Sequence, residues 1–120
     1  MNEIKATNPQ LVMLVRFLKK HSREHKAKIW RTIAENLGKP KRKRVSVNIS
    51  RLNRYTQKND VVVVPGKVLG AGKLNHPITV AAFAFSEKAR EKIQKARGKC
   101  LSLIELAQKN PKGSNIKIIG

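Results

Sequence analysis

The segment from Val61 to Ser86 constrains the fold more than any other part of the chain, because it contains most of the strand-forming sequence. Its first residues, Val61–Val64, are β-branched and favour an extended backbone. A second apolar run, Ile78–Phe85, has no polar face, which predicts a strand that is covered on both sides. Glycine, asparagine and proline are concentrated between the two runs. We therefore predict a β-hairpin at the core, with a glycine- and lysine-rich tip that faces outward.

Helical periodicity predicts two helices before this segment. The first begins at Pro9, which is tolerated in a first helical turn, and carries an apolar stripe at helical spacing. The second spans about Ala27–Leu37 and ends at Gly38. Trp30 has apolar neighbours at i+3 and i+4, so it is predicted to be a core residue rather than a base-stacking one.

Shorter elements are predicted on either side of the central segment. Ser102 and Glu105 form the pattern of a capping box, which starts a helix, and Ser86 can cap an earlier one. The predicted strands lie at about 45–49, 99–101 and 116–119, and the predicted helical segments at about 50–55, 86–97 and 102–109.

The balance of charges points to a polyanionic partner. The 120 residues include 27 Lys and Arg against 7 Asp and Glu, a formal net charge of +20. Self-repulsion at this charge opposes folding, and nucleic acid is the commonest partner that relieves it. A membrane partner is not expected, because no basic helix with a large aromatic face and no lipidation motif occurs. Aromatic residues make up only 4%, so contacts with phosphates are expected rather than a base-stacking platform.

Few residues suit catalysis or metal binding. Cys100 is the single cysteine, which excludes an internal disulfide, fits a reducing compartment and predicts a small buried side chain. His21 and His25 have the i,i+4 spacing of metal ligands but lack further ligands, so we interpret them as solvated. No apolar run approaches membrane-spanning length, and Met1–Asn8 lacks a signal core. We expect a cytoplasmic protein that is not an enzyme and has no cofactor or metal.

The sequence GKVLGAGK, Gly66–Lys73, resembles a phosphate-binding P-loop but departs from it. Five residues rather than four separate its first and last glycines, leucine follows the final lysine, and a strand rather than a helix is predicted next. We interpret its glycines as positions that allow positive φ or close approach to a partner, and its lysines as a source of charge.

Two basic clusters are candidates for phosphate contact. Arg16, Lys19, Lys20 and Arg23 recur at helical spacing on one face of the first predicted helix, where a solvated face and phosphate contact both remain open. The run KPKRKR at 39–44 is the densest in charge. It could be a solvated segment or a localisation signal, but we favour an arm laid along phosphates, because it leads directly into a predicted strand.

Five segments together resemble one protein family across nearly the whole chain: NPQLVMLVRFLKKHS, KPKRKRVSVNISRLNRYTQ, DVVVVPGKVLGAGKL, ITVAAFAFS and NPKGSNIKI. This is the family of large-subunit ribosomal protein eighteen of archaea and eukaryotes, which is related to bacterial large-subunit protein fifteen. The compact length is similar to that of archaeal members. The resemblance implies an α/β fold: a single compact domain over 1–120, built from irregular β-β-α units wound as a superhelix and preceded by two helices. Residues 1–7 are expected to be flexible, and 39–44 to form a basic arm.

The resemblance also implies a structural role in the large ribosomal subunit of the cytoplasm. The partners would be folded large-subunit ribosomal RNA and neighbouring ribosomal proteins, with no membrane and no small-molecule substrate. By this likeness the RNA-facing segments include Lys39–Arg44, Asn48, Arg51, Arg54 and Gly66–Lys73. With the helix strip, the candidate RNA-binding residues are Arg16, Lys19, Lys20, Arg23, Lys39, Lys41, Arg42, Lys43, Arg44, Asn48, Arg51, Arg54, Gly66, Lys67, Gly70, Gly72 and Lys73.

A free-standing nucleic-acid-binding regulator is the alternative function. Such a regulator would usually have a base-reading helix or a dimer seam, and the sequence indicates neither.

Overall fold

The computed structural model describes residues 9–39 and 45–120, and this part of the chain has a mixed α/β fold. Its elements, in chain order, are α1 (Pro9–His25), α2 (Lys28–Leu37), β1 (Val45–Asn48), α3 (Ile49–Tyr55), β2 (Val61–Leu69), β3 (Thr79–Phe85), α4 (Glu87–Lys95), β4 (Lys99–Ser102), α5 (Leu103–Lys109) and β5 (Ile116–Ile118). The α/β class and the two N-terminal helices are confirmed. The winding of β-β-α units as a superhelix stays a prediction, and the expected flexibility of 1–7 concerns residues outside the described part.

The described residues form two compact units. The helical unit contains α1, α2 and Ile104–Ser114, which includes α5 from its second residue onward. The sheet unit contains Val45–Leu103 and Asn115–Gly120. The expectation of a single domain stays a prediction.

The sheet is parallel throughout its described pairings, with β2 at its centre. The strands follow the order β1-β2-β3-β4, and β5 also pairs with β2. β5 lies beside Val61–Val63, whereas β1 lies beside Gly66–Leu69. Two short strands therefore share one edge of β2, end to end.

The predicted hairpin is wrong, because β2 and β3 run in the same direction. Val61 pairs with Thr79 at one end and Val68 with Phe85 at the other. Parallel neighbours need a connection that returns the chain to the start of the first strand. Residues 70–78 can span about 30 Å when extended, which matches the length of a strand such as β2. Turn-forming composition identified a connection here but could not distinguish a reversal of the chain from a crossover.

The returning connection is attached to α3 and to the turn that follows it. The backbone N–H of Ser50 donates to Ala71 O at 3.0 Å, and that of Asn59 donates to Pro77 O at 2.7 Å. The backbone N–H of Asn75 donates to Asn53 Oδ1 at 2.9 Å. These bonds fix a glycine-rich segment that has no regular secondary structure of its own.

Pro65 and Gly66 lie within β2, at the point where its pairing with β3 is irregular. The pairing of β2 with β3 shifts register between Val64 and Lys67, so the proline lies where the regular ladder is already broken. A Cβ atom at Gly66 would lie 2.0 Å from Val45 O. Only glycine therefore lets β1 approach β2 this closely.

The core of the sheet unit is built from alternate residues of β2 and β3 and from the facing sides of α3 and α4. It contains Val47, Ile49, Leu52, Val62, Val64, Val68, Ile78, Val80, Ala82, Ala89, Ile93 and Ile119. Val63 and Ala81, which alternate with these positions, are also fully buried, so the predicted covering of both strand faces is confirmed. Ser86 Oγ accepts a hydrogen bond from the backbone N–H of Ala89, which confirms the predicted cap of α4.

The core of the helical unit contains Trp30, as predicted, and also His21. The Trp30 side chain is fully buried, and its Nε1 donates a hydrogen bond to Pro111 O at 2.8 Å. The ring of His21 lies 5.7 Å from the Trp30 ring and is 7% exposed, so its interpretation as solvated is wrong. His21 follows the buried Leu14 and Leu18 at i+7 and i+3, which places it on the apolar stripe of α1.

Burial of His21 predicts that the helical unit loses stability in mild acid. Desolvation and then the neighbouring His25 lower the pKa of His21 below its ordinary 6.5, outweighing the opposite effect of nearby carbonyls and of Glu24. The unfolded chain therefore binds this proton more readily than the folded chain does. The stability that neutral His21 contributes to the folded state is intact above pH 6.5 and declines as the pH falls below it. Urea unfolding at pH 7.5 and 5.5 measures the difference, which should be smaller in the His21→Phe variant. An equal pH dependence in both proteins would contradict the burial of a neutral histidine.

Candidate nucleic-acid interface

The helical unit contains a concave basic surface between the second half of α1 and the first half of α2. It encloses about 620 Å³, and we call it the basic groove. Its lining residues are Lys19, Ser22, Arg23, Lys26, Ala27, Lys28, Arg31 and Glu35. The turn between the helices is closed by two hydrogen bonds, from Ser22 Oγ to Ala27 O at 2.9 Å and from Ala27 N to Ser22 O at 3.1 Å.

Positive charge predominates in this groove. Five of its lining residues are cations, and Glu35 is the single acid among them. Glu35 is paired with Arg31, one of the five, at 3.3 Å. None of the other four cations forms an ion pair within residues 9–39 and 45–120. Like charges that face one concave surface repel each other, and phosphate groups in the groove would remove that repulsion.

The structure places the predicted strip of α1 partly in this groove. All four of its cations are exposed, but only Lys19 and Arg23 line the groove, whereas Arg16 and Lys20 lie outside its lining. Sequence reasoning missed Lys26, Lys28 and Arg31. These residues lie in the turn and in the next helix, so a periodicity taken along α1 alone could not include them. The density of cations over residues 19–31 was the available signal.

The basic arm falls mostly outside the part of the chain that the structure describes. Lys41, Arg42, Lys43 and Arg44 are among the residues that are not described. Lys39 is described: it is exposed just after α2, and its backbone N–H donates to Asn36 O at 3.3 Å. The role of the arm stays a prediction.

In the sheet unit, α3 brings further predicted residues to the surface. Arg51 and Arg54 are exposed, and the Arg51 guanidinium lies 5.2 Å from the centre of the Tyr55 ring. Asn48 is exposed as well, and its Oδ1 accepts a hydrogen bond from Ala71 N at 3.3 Å. Asn48 therefore has an intramolecular role, in which it holds the chain that follows β2.

The predicted glycines contact the protein's own chain closely. A Cβ atom would lie 2.5 Å from Lys88 Cβ at Gly70, and 2.4 Å from Ser50 Cβ at Gly72. Of the three predicted glycines, Gly72 alone has a positive φ, at +100°. Lys92 Nζ also donates to Gly70 O at 2.5 Å and to Gly72 O at 2.6 Å. The close approach of the protein's own chain therefore explains each of these glycines. Contact of this segment with a partner stays a prediction.

The lysines of the same segment remain accessible. Lys67 and Lys73 are both exposed, and neither forms an ion pair with any described residue. The hydrogen bonds from α3 to the returning connection bring Lys73 and the cations of α3 to neighbouring parts of the sheet unit.

Comparison with known proteins gives the family. The sequence model of the family described as "Ribosomal protein 60S L18 and 50S L18e" matches residues 1–120. The chain belongs to this family. Three archaeal relatives share the description "Large ribosomal subunit protein eL18". That of Methanococcus maripaludis is 48% identical over 119 residues, 99% of each chain. That of Methanoregula boonei is 47% identical over 97% of this chain and 96% of its own. That of Methanothermobacter thermautotrophicus is 47% identical over 98% of this chain and 97% of its own.

As a member of the L18/L18e family, the chain is a structural component of the large subunit of the cytoplasmic ribosome and not an enzyme. Burial raises the pKa of the Cys100 thiol, which disfavours the nucleophilic thiolate. A hydrogen bond from Lys117 and a second from Gln57 N lower the pKa of Asp60, so this carboxylate is engaged in contacts within the sheet unit. Within the described residues, no group of three or more metal-ligating side chains occurs, and no helix is long and apolar enough to cross a membrane.

Proposed function

We propose that this member of the L18/L18e family binds large-subunit ribosomal RNA and stabilises its folded form, using exposed cations of both units. The observation that carries the proposal is the basic groove, in which five cations face one concave surface with a single, already paired acid. Phosphate oxygens are the natural partners of such a surface, since their binding releases counterions as well as removing repulsion.

A second RNA contact is proposed on the sheet unit. Arg51, Arg54, Lys67 and Lys73 are exposed there, and bonds to α3 and α4 hold the glycine-rich segment in place. A fixed loop loses little conformational entropy on binding. The arm at 39–44 adds flanking charge, and neighbouring ribosomal proteins are the expected protein partners. In this scheme the glycines shape the loop, while its lysines contact phosphates.

Reversal of two groove charges tests the proposal. We expect Lys19→Glu with Arg23→Glu to weaken binding to large-subunit ribosomal RNA and to reduce the slope of log K against log salt by about 2, one for each phosphate that the variant no longer neutralises. Binding is measured over a range of salt concentrations, and incorporation is measured by co-sedimentation with large subunits.

The matched control is Lys58→Glu with Lys95→Glu. Both lysines are exposed and lie outside the predicted set, and the pair changes the net charge by the same amount. If both double variants bind with the same reduced affinity and slope, net charge rather than the groove governs binding. If the wild-type protein itself fails to bind this RNA, the proposed function is wrong.

A further inference from the structure

A second concave site lies in the sheet unit, between α3 and the end of the chain. It encloses about 440 Å³, which is within the range of pockets that hold small organic groups. Its lining residues are Arg51, Tyr55, Lys117, Ile118, Ile119 and Gly120. Only Arg51 of these six belongs to the set predicted from the sequence. The residues at 117–120 were missed because only the fold brings them to α3.

Two exposed apolar side chains line this pocket. Four large apolar side chains are exposed in the described part of the chain, and two of them, Tyr55 at 51% and Ile118 at 41%, line this one pocket. Ile119 is 7% exposed and extends the apolar lining inward. Tyr55 and Ile118 therefore present two exposed apolar groups to one cavity, and a group that binds there would cover both.

Cations accompany the apolar groups. The Arg51 guanidinium lies 5.2 Å from the centre of the Tyr55 ring and has no acidic partner among the described residues. Lys117 Nζ lies 2.8 Å from Asp60 Oδ2, while its side chain remains half exposed. The pocket therefore combines an aromatic face, an aliphatic wall and positive charge.

This combination matches a nucleotide better than an apolar side chain of a protein. A base stacks on an aromatic ring and packs against aliphatic carbon, and its phosphate binds a guanidinium or ammonium group. A buried apolar side chain would use the ring and the isoleucine but would leave the Arg51 guanidinium without an anionic partner. A net charge of +20 also favours an anionic occupant.

We propose that this pocket receives one unstacked nucleotide of the bound RNA, with its base on Tyr55 and its phosphate near Arg51 and Lys117. The inference rests on the proposed function, and it adds the recognition of a single extruded base to contacts with phosphates. A low content of aromatic residues argues against a multi-base platform, but one base needs only one ring.

The test compares Tyr55→Leu, which keeps apolar volume but removes the ring, with the matched control Tyr55→Phe, which keeps the ring. Binding to large-subunit ribosomal RNA is measured over a range of salt concentrations, and base-specific chemical modification identifies protected nucleotides. We expect Tyr55→Leu to bind about 5- to 150-fold more weakly, the usual effect of losing one stacked base. It should also lose the protection of one nucleotide and keep the wild-type salt slope, while Tyr55→Phe behaves as the wild type. Circular dichroism checks that each variant is folded.

A second variant, Ile118→Ala, tests the aliphatic part of the pocket lining and should expose the same nucleotide. Wild-type affinity and protection in both Tyr55→Leu and Ile118→Ala would overturn the inference and leave the proposed function intact. Equal reductions of affinity in Tyr55→Leu and Tyr55→Phe would overturn stacking. If Tyr55→Leu binds RNA normally but fails to be incorporated into subunits, the occupant of the pocket is not a nucleotide, and a neighbouring protein is indicated instead. A wild-type protein that fails to bind the RNA would overturn both proposals.

Discussion

Trp30→Ala is expected to lower the free energy of unfolding by about 3–5 kcal/mol, the usual cost of emptying a buried aromatic site. The indole is fully buried, packs edge-on against His21 and donates a hydrogen bond to Pro111 O. The substitution creates a cavity in the helical unit and leaves a carbonyl without its donor. The same bond holds the segment after α5 against α2, so its removal should loosen the C-terminal part of this unit.

Urea unfolding followed by circular dichroism measures this effect, because the variant lacks the single tryptophan. In the wild type, Trp30 fluorescence should be blue-shifted in the native state and should move to longer wavelength on unfolding. The control is Trp30→Phe, which keeps a buried ring but removes the donor, and should cost less than the alanine variant. A wild-type emission already at the wavelength of solvated tryptophan would contradict the burial of this residue.

Arg42→Glu with Arg44→Glu is expected to weaken binding to large-subunit ribosomal RNA by about tenfold or more and to reduce the salt slope by about 2. Residues 39–44 contain five cations among six residues, and no acid occurs between Lys39 and Asn59. We expect the Arg42 and Arg44 side chains to face water or an anion, because a guanidinium without an acidic partner is too costly to bury. Because the reversals relieve repulsion, the melting temperature should be unchanged or raised.

The control for the arm is again Lys58→Glu with Lys95→Glu, which makes the same change in net charge. Binding isotherms at several salt concentrations give both the affinity and the slope for each variant. An arm that is only solvated predicts that affinity and slope both stay at the wild-type values. That result would remove Arg42 and Arg44 from the proposed interface.

The boundaries of the helices were predictable because they depend on local signals. The apolar stripe of α1, the Ser86 cap of α4 and the capping-box pattern before α5 each act within a few residues. The direction of β3 was not predictable in this way. A run of turn-forming residues is compatible with a reversal or with a crossover, and only the pairing of β3 with β2 decides between them.

The candidate interface also combines features that were predictable from the sequence with features that were not. Exposure of Arg51 and Arg54 followed from charge without acidic neighbours, and the structure agrees. Closure of the groove by Lys26, Lys28 and Arg31 depends on the angle between two helices and was not predictable from either helix alone. For His21 the prediction from the sequence was wrong. Its polar side chain suggested contact with solvent, but its position on the apolar stripe of α1 places it in the core.

The sequence by itself determined the charge, the family and the elements, because net charge, motif order and hydrophobic period are properties of the chain alone. The tertiary structure decided which distant residues meet. It set Gly66 against Val45, attached Gly70 and Gly72 to Lys92, and joined Tyr55 to Ile118 around one pocket. Parallel pairing brings Gly66 beside Val45 and β5 beside β2, since each strand begins where an intervening connection has returned the chain. Such contacts depend on three-dimensional packing, and no pattern of neighbouring residues encodes them.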